Sequence, residues 1–192
     1  AKVDADGSSD ATVLTLLSSA DSPAQDGAIA ALPSGALING NITVQRFMSI
    51  EGDNNTRIYR YISSPITNAS VADLQNEIPI TGSFTGYSVC STCLRNQSMF
   101  LYQESILTDI NNSGVADFND GYIDFPDASN TETLQPGRCY ALFVRGNILP
   151  SARWDVRGTI THGNTTPVSL PVTYTSSGNS ANDGWNLVGN PY

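Results

Sequence analysis

Lysine is almost missing from this chain. It occurs once, at Lys2, and the other cations are eight arginines. Histidine also occurs once, at His162. Charged residues make up 14% of the 192 positions, about half the share usual in soluble domains. The formal net charge is −9 and the sequence pI is about 4.3. A nucleic-acid partner needs a basic face, and this balance argues against one. It also disfavours an anionic membrane surface. No apolar run approaches the roughly 20 residues of a membrane helix. No basic stretch followed by a long apolar core opens the chain, so an export signal is expected outside the sequence given.

The scarcities also limit chemistry. A structural zinc site wants four thiolate or imidazole ligands, and the chain offers three cysteines and His162. A Ser–His–Asp triad would rest on His162 alone, inside the turn-like Thr161-His162-Gly163-Asn164, with no Gly-x-Ser-x-Gly elbow. Of the four glutamates, Glu51, Glu77, Glu104 and Glu132, only Glu104 ends a well-marked strand, and no carboxylate is nominated as its glycosidase partner. Phosphate-loop and dinucleotide fingerprints are missing. The expectation is a protein that is not an enzyme.

What is abundant is β-pattern. Hydrophobic residues reach 40%, enough for a sizeable core. Short β-branched or aromatic segments, bounded by Gly, Asn, Pro or Ser, recur at Thr12–Leu17, Asn41–Met48, Arg57–Ile62, Ser98–Glu104, Gly121–Phe125, Arg138–Arg145, Ala152–Ile160 and Thr166–Thr175. In Arg57–Ile62, Ile58, Arg60 and Ile62 share one face, with Arg57, Tyr59 and Tyr61 opposite. A further strand is expected at Trp185–Val188. Helix signal is confined to Ser70–Glu77, with Ser70 as N-cap. The pattern lacks a βαβ rhythm. It predicts an all-β fold: a two-sheet antiparallel β-sandwich, jelly-roll-like, with one short helix. Residues 1–11 read as a flexible lead-in or linker and residues 12–192 as a single sandwich module.

Several groups are candidates for function. Cys90 and Cys93 form a C-x-x-C without a thioredoxin-like context; a local disulfide in an oxidising compartment is expected, leaving Cys139 buried or free to pair with another chain. Asp109, Asn111 and Ser113 alternate before Gly114, and Asp117 and Asp120 follow before Gly121. Oxygens at alternate positions with a glycine turn are what a Ca²⁺ loop uses, although a glutamate at the twelfth position is lacking. The alternative is an Asx-turn loop whose side chains satisfy its own backbone. Trp154, Trp185 and tyrosines including Tyr59, Tyr61, Tyr87, Tyr102, Tyr122 and Tyr174 offer either a sugar-stacking surface or packing. Trp154, between Arg153 and Asp155, and Tyr122 are the ligand candidates; Trp185, in an apolar run, is expected in the core. Arg46, Arg60, Arg145, Arg153 and Arg157 either clamp an anion or pair with nearby carboxylates such as Asp155.

One ordered set of motifs is more specific than any of these. Arg60–Pro65 (RYISSP), Thr81–Ser105, Leu134–Gly146 (LQPGRCYALFVRG), Val168–Gly178 (VSLPVTYTSSG) and Asp183–Tyr192 (DGWNLVGNPY) follow one another. Together they resemble a β-rich module of large surface and secreted proteins of Bacteroidota, the substrates of type IX secretion. The resemblance spans roughly residues 12–192. It implies an extracellular or cell-surface location and a non-catalytic role, and it supplies no catalytic residues. The family commonly continues past the Asn-Pro-Tyr, and it commonly has Gly-Tyr where this chain has Cys139-Tyr140. The expected function is a structural or adhesive module, with neighbouring modules or copies of itself as partners and self-assembly through the terminal strand as a special case. The alternative is a carbohydrate-binding module carrying Ca²⁺.

Overall fold

A computed structural model describes residues 2–4, 14–19, 26–48, 57–90, 95–106, 108–110, 112–145, 152–160, 168–170 and 172–190. His162 lies outside these, as do Cys93, Asn111 and, within Thr166–Thr175, Thr166, Pro167 and Pro171. The strands in chain order are β1 (Lys2–Asp4), β2 (Thr15–Leu16), β3 (Leu37–Asn39), β4 (Ile42–Met48), β5 (Arg57–Ile62), β6 (Met99–Tyr102), β7 (Tyr122–Asp124), β8 (Tyr140–Arg145) and β9 (Ala152–Gly158). Among the described residues a single α-helix, α1 (Val71–Gln75), lies between β5 and β6.

Two main sheets form the body. One is antiparallel, in the order β5-β8-β6-β7. The other is mixed, in the order β2-β4-β9, because β2 runs parallel to β4 while β9 runs antiparallel to it. Burial follows the two-residue period of a strand. On β8, Tyr140, Leu142 and Val144 are buried at 0–1% exposure; they are matched across the ladder by Ile62, Arg60 and Ile58 of β5. Ile42, Val44 and Met48 of β4 face the same core from the mixed sheet, together with Trp154 and Val156 of β9. The result is an all-β sandwich with its hydrophobic cluster between the sheets.

Helix α1 starts where Ser70 marks it. The backbone N–H and Oγ of Ser70 both donate to Asp73 Oδ2, at 2.7 and 2.8 Å, so the cap and an early helical carboxylate satisfy each other. Val71 and Leu74, one turn apart, are fully buried. Gln75 fastens the helix end: its Nε2 donates to Gly86 O and Ser88 Oγ at 2.9 Å, and its Oε1 accepts from Asn130 Nδ2 at 2.8 Å.

Three expectations change. The lead-in is not structureless throughout, since Lys2–Asp4 pairs in parallel with Leu37–Asn39, a strand whose three residues are too few to stand out in sequence. The described part of Thr166–Thr175 forms no strand. Trp185–Val188 contributes only an isolated bridge, Val188 to Arg138. Side chains hold this region instead: Asn186 exchanges hydrogen bonds with Thr173 N and O, at 3.0 and 2.8 Å.

Candidate functional site

The four-stranded sheet has a core face and an outer face, and the outer one is aromatic. Strand alternation sends Tyr59 and Tyr61 of β5, Phe143 of β8, Phe100 and Tyr102 of β6, and Tyr122 of β7 outward together. The register puts Tyr59 opposite Phe143, and Tyr102 opposite Tyr122. The rings touch in a chain: Tyr59 to Phe143 at 5.0 Å, Tyr59 to Phe100 at 6.3 Å, and Tyr102 to Tyr122 at 5.1 Å between centroids. Tyr61 and Tyr122 join their hydroxyls at 2.9 Å. Tyr59 and Tyr61 are 54% and 60% exposed, while the other four rings are half-buried. Partial burial and the Tyr61 hydrogen bond push the Tyr122 phenol upward, and burial does the same to Tyr102. Both therefore stay neutral at physiological pH.

The pairs are tilted or edge-on, with interplanar angles of 52°, 54° and 78°. Such packing is worth about 0.5–1.5 kcal/mol per pair beyond area burial. It also makes a corrugated surface, not a row of coplanar platforms. Tyr122 was singled out from sequence and sits in this face. Phe100 and Phe143 were not, although the alternation in Met99–Tyr102 and Tyr140–Arg145 carries the signal.

Trp154 is elsewhere. It is 4% exposed, on the core side of β9, so it offers no surface platform. Trp185 is the exposed tryptophan, at 53%, which corrects its expected place in the core. Its Nε1–H donates to Ala181 O at 2.9 Å, and its ring lies 5.5 Å from Phe118 at 35°. Tyr87 lies under Arg95, whose Cζ is 4.3 Å from the ring centroid.

The acidic loop uses its oxygens on its own backbone. Asp109 accepts from Ser113 N and Gly114 N at 3.0 and 2.8 Å. Asp117 caps the 3₁₀ turn Phe118–Gly121 through Asn119 N at 2.8 Å. Asp120 is fully buried and accepts from Ile110 N and Asp117 N at 3.0 and 2.9 Å. These are the Asx-type bonds of a self-satisfied loop. Among the described residues, no group of three or more His, Cys, Asp or Glu comes together to hold a metal ion.

Glu104 has a structural task. It is buried, and its carboxylate accepts from Thr175 N, Thr175 Oγ1, Thr173 Oγ1 and Gly184 N at 2.5–3.2 Å. Burial alone would raise its pKa; these hydrogen bonds outweigh burial and hold it below the usual carboxylate range. Asp183 repeats the device, held low chiefly by bonds from the Ser177 hydroxyl and N–H. Of the candidate arginines, Arg46 pairs with Asp26 at 2.6 Å, while Arg153 and Arg157 are exposed. Cys139 is a buried free thiol, and Cys90 is disulfide-bonded; the expected partner Cys93 lies outside the described residues.

Fold and site define a β-sandwich with one aromatic outer face. No protein-family model, curated protein or solved structure matches the chain. No helix among the described residues is long and apolar enough to cross a membrane.

Proposed function

We propose that this chain is a non-catalytic structural or adhesive module of an extracellular bacterial surface protein, docking through the aromatic face of its four-stranded sheet. The single observation that carries the reading is that face. Two well-exposed tyrosines stand on four half-buried rings, supported from beneath by a rigid core. Tyrosine and phenylalanine are enriched where protein surfaces meet, because they bury large area at little entropic cost. Tilted rings interlock better with another protein than with a flat sugar chain. A face of this kind is complementary to itself, so a second copy is the partner to test first. The use of Glu104 as a staple for the C-terminal segment supports a role without acid–base chemistry. The resemblance of the ordered motifs to those of Bacteroidota secretion substrates supports the extracellular location.

Light scattering coupled to size exclusion, at low and high concentration, tests the docking claim. The molar mass rises with concentration under this reading and stays monomeric against it. Antibody labelling of intact cells of the source bacterium tests the location.

Carbohydrate binding is the second reading, and one observation favours it. Phe118 and Trp185 are 44% and 53% exposed and, among the described residues, are the most nearly parallel exposed ring pair, at 35°. Retardation on a polysaccharide affinity gel, lost in Trp185→Ala, is its expected signature.

A further inference from the structure

An outer strand offers a row of unpaired N–H and C=O groups, and proteins usually blunt or cover it. The four-stranded sheet ends on β5. Its ladder with β8 runs unbroken from Arg57 to Ile62, and the strand holds no proline, glycine or lysine. The outer strand of the mixed sheet, β9, differs. Helix α1 packs against it, and Ile66 and Thr67 lie along its end, where Thr67 N–H donates to Thr159 O at 3.0 Å.

The direction of the β5 amides follows from β8. Phe143 N–H donates to Ser98 O at 2.7 Å, so the odd-numbered residues of β8 turn their main chain towards β6. Opposite residues of an antiparallel pair alternate between bonded and non-bonded. Tyr140, Leu142 and Val144 therefore bond to Ile62, Arg60 and Ile58, while Tyr59 and Tyr61 turn their N–H and C=O groups to the free edge. Among the described residues nothing takes up these groups. Both side chains are more than half exposed.

Arg60 limits what can pair here. It is half-buried on the core side of β5, between Ile58 and Ile62, and an inward charge discourages indiscriminate pairing. Two antiparallel copies of β5 can join through Tyr59 and Tyr61 in two well-overlapped registers. A two-fold axis at Arg60 sets like charges directly opposite, which is unfavourable. An axis at Tyr59 sets Arg60 opposite the partner's Ile58, and Tyr61 opposite the partner's Arg57, with no like charges facing. The sequence of β5 thus complements itself in one register.

We propose that β5 joins two copies of this chain edge to edge, antiparallel and centred on Tyr59, so that their four-stranded sheets become one. The inference rests on the docking reading for its partner, a second copy, and adds main-chain bonds at the edge of the aromatic face. The two-fold closes the contact, so a dimer forms and not a fibre.

Amide exchange of ¹⁵N-labelled protein at low and high concentration tests it. With about nine-tenths of the chain associated, exchange at Tyr59 and Tyr61 should slow about tenfold, while Ile58 and Arg60, already bonded to β8, should change little. In a mixture of ¹³C-labelled and unlabelled chains, an NOE should link Arg60 Hα to Hα of the partner's Ile58. Tyr59→Thr keeps the edge N–H and should keep the slowing at Tyr61. Tyr59→Pro removes that N–H and should abolish the slowing, with the Ile58 and Arg60 amides reporting that β5 still pairs with β8. Association without slowing at Tyr59 and Tyr61, or equal loss in Tyr59→Thr and Tyr59→Pro, overturns the edge contact and leaves docking by the ring face standing. A parent chain that stays monomeric overturns both.

Discussion

The two sheets of this sandwich present opposite outer faces. The four-stranded sheet turns Tyr59, Tyr61, Phe100, Tyr102, Tyr122 and Phe143 outward. The mixed sheet turns out Thr43, Gln45 and Phe47 on β4, opposite Arg157, Asp155 and Arg153 on β9. Both sheets feed the same core, so core packing does not explain the difference. The mixed sheet's face is mostly polar, with Arg153 and Arg157 exposed and Thr43, Gln45, Phe47 and Asp155 half-buried. The aromatic face leaves Tyr59 and Tyr61 more than half exposed, and the docking partner proposed above would cover them.

Substitutions can break this contrast, beginning with the deepest. Leu142→Ala, on the core side of β8 at 0% exposure, should cost about 2–5 kcal/mol in chemical denaturation. Its outward neighbour Phe143 loses mainly its contact with Tyr59, and Phe143→Ala should cost about 1–2 kcal/mol. Equal costs would mean that the aromatic face is core and not contact surface.

Beside the mixed sheet the sensitive point is Glu77, in the turn after α1 and next to Asp155 of β9. Burial, and then the nearby charge of Asp155, raise its carboxyl from 4.5 to about 7. Its Oε2 is buried without a partner among the described residues, which fits a preference for the neutral acid. The folded state therefore holds this proton more tightly than the unfolded chain. That stability is complete below about pH 4.5 and is lost as pH rises towards 7. Glu77→Gln should flatten this slope and add about 1 kcal/mol at pH 8, after allowance for solvent screening, or about 2–4 °C in Tm. Thermal scans from pH 4 to 8 check it.

Glu104 has the opposite sign. Its hydrogen-bonded carboxyl is depressed, so the clasp on Thr173, Thr175 and Gly184 holds at neutral pH and loosens as pH falls below about 4. Trp185 emission should shift to the red over that acid range. Glu104→Ala should produce the shift already at neutral pH, without unfolding the sheets. The smallest effect belongs to the exposed arginines: Arg153→Ala should stay within about 0.5 kcal/mol of the parent.

The sheet skeleton was legible because Arg57–Ile62, Asn41–Met48 and Ala152–Ile160 alternate or concentrate β-formers, and burial rewards that period. The tryptophans were harder. The charges flanking Trp154 suggest a surface position, yet in a strand they argue the reverse: if Arg153 and Asp155 point out, Trp154 points in. Trp185 sits beside Leu187 and Val188, but Asp183, Asn186 and Glu104 fix that segment through side-chain hydrogen bonds, so no ladder forms to bury its ring. The aromatic face needed register. Tyr59 and Phe143 stand 84 residues apart in sequence and meet only because β5 pairs with β8. The acidic loop was ambiguous because calcium loops and Asx turns use the same residues; the partners of Asp109 and Asp120 show which oxygens their own backbone takes.

Sedimentation velocity across a concentration series is the most direct test of the aromatic face. The parent chain should associate as concentration rises. Tyr59→Asp with Tyr61→Asp should remain monomeric, and Arg153→Ala with Arg157→Ala on the opposite face should behave as the parent. A parent chain that stays monomeric throughout, or an aromatic-face variant that associates as the parent does, would contradict the account.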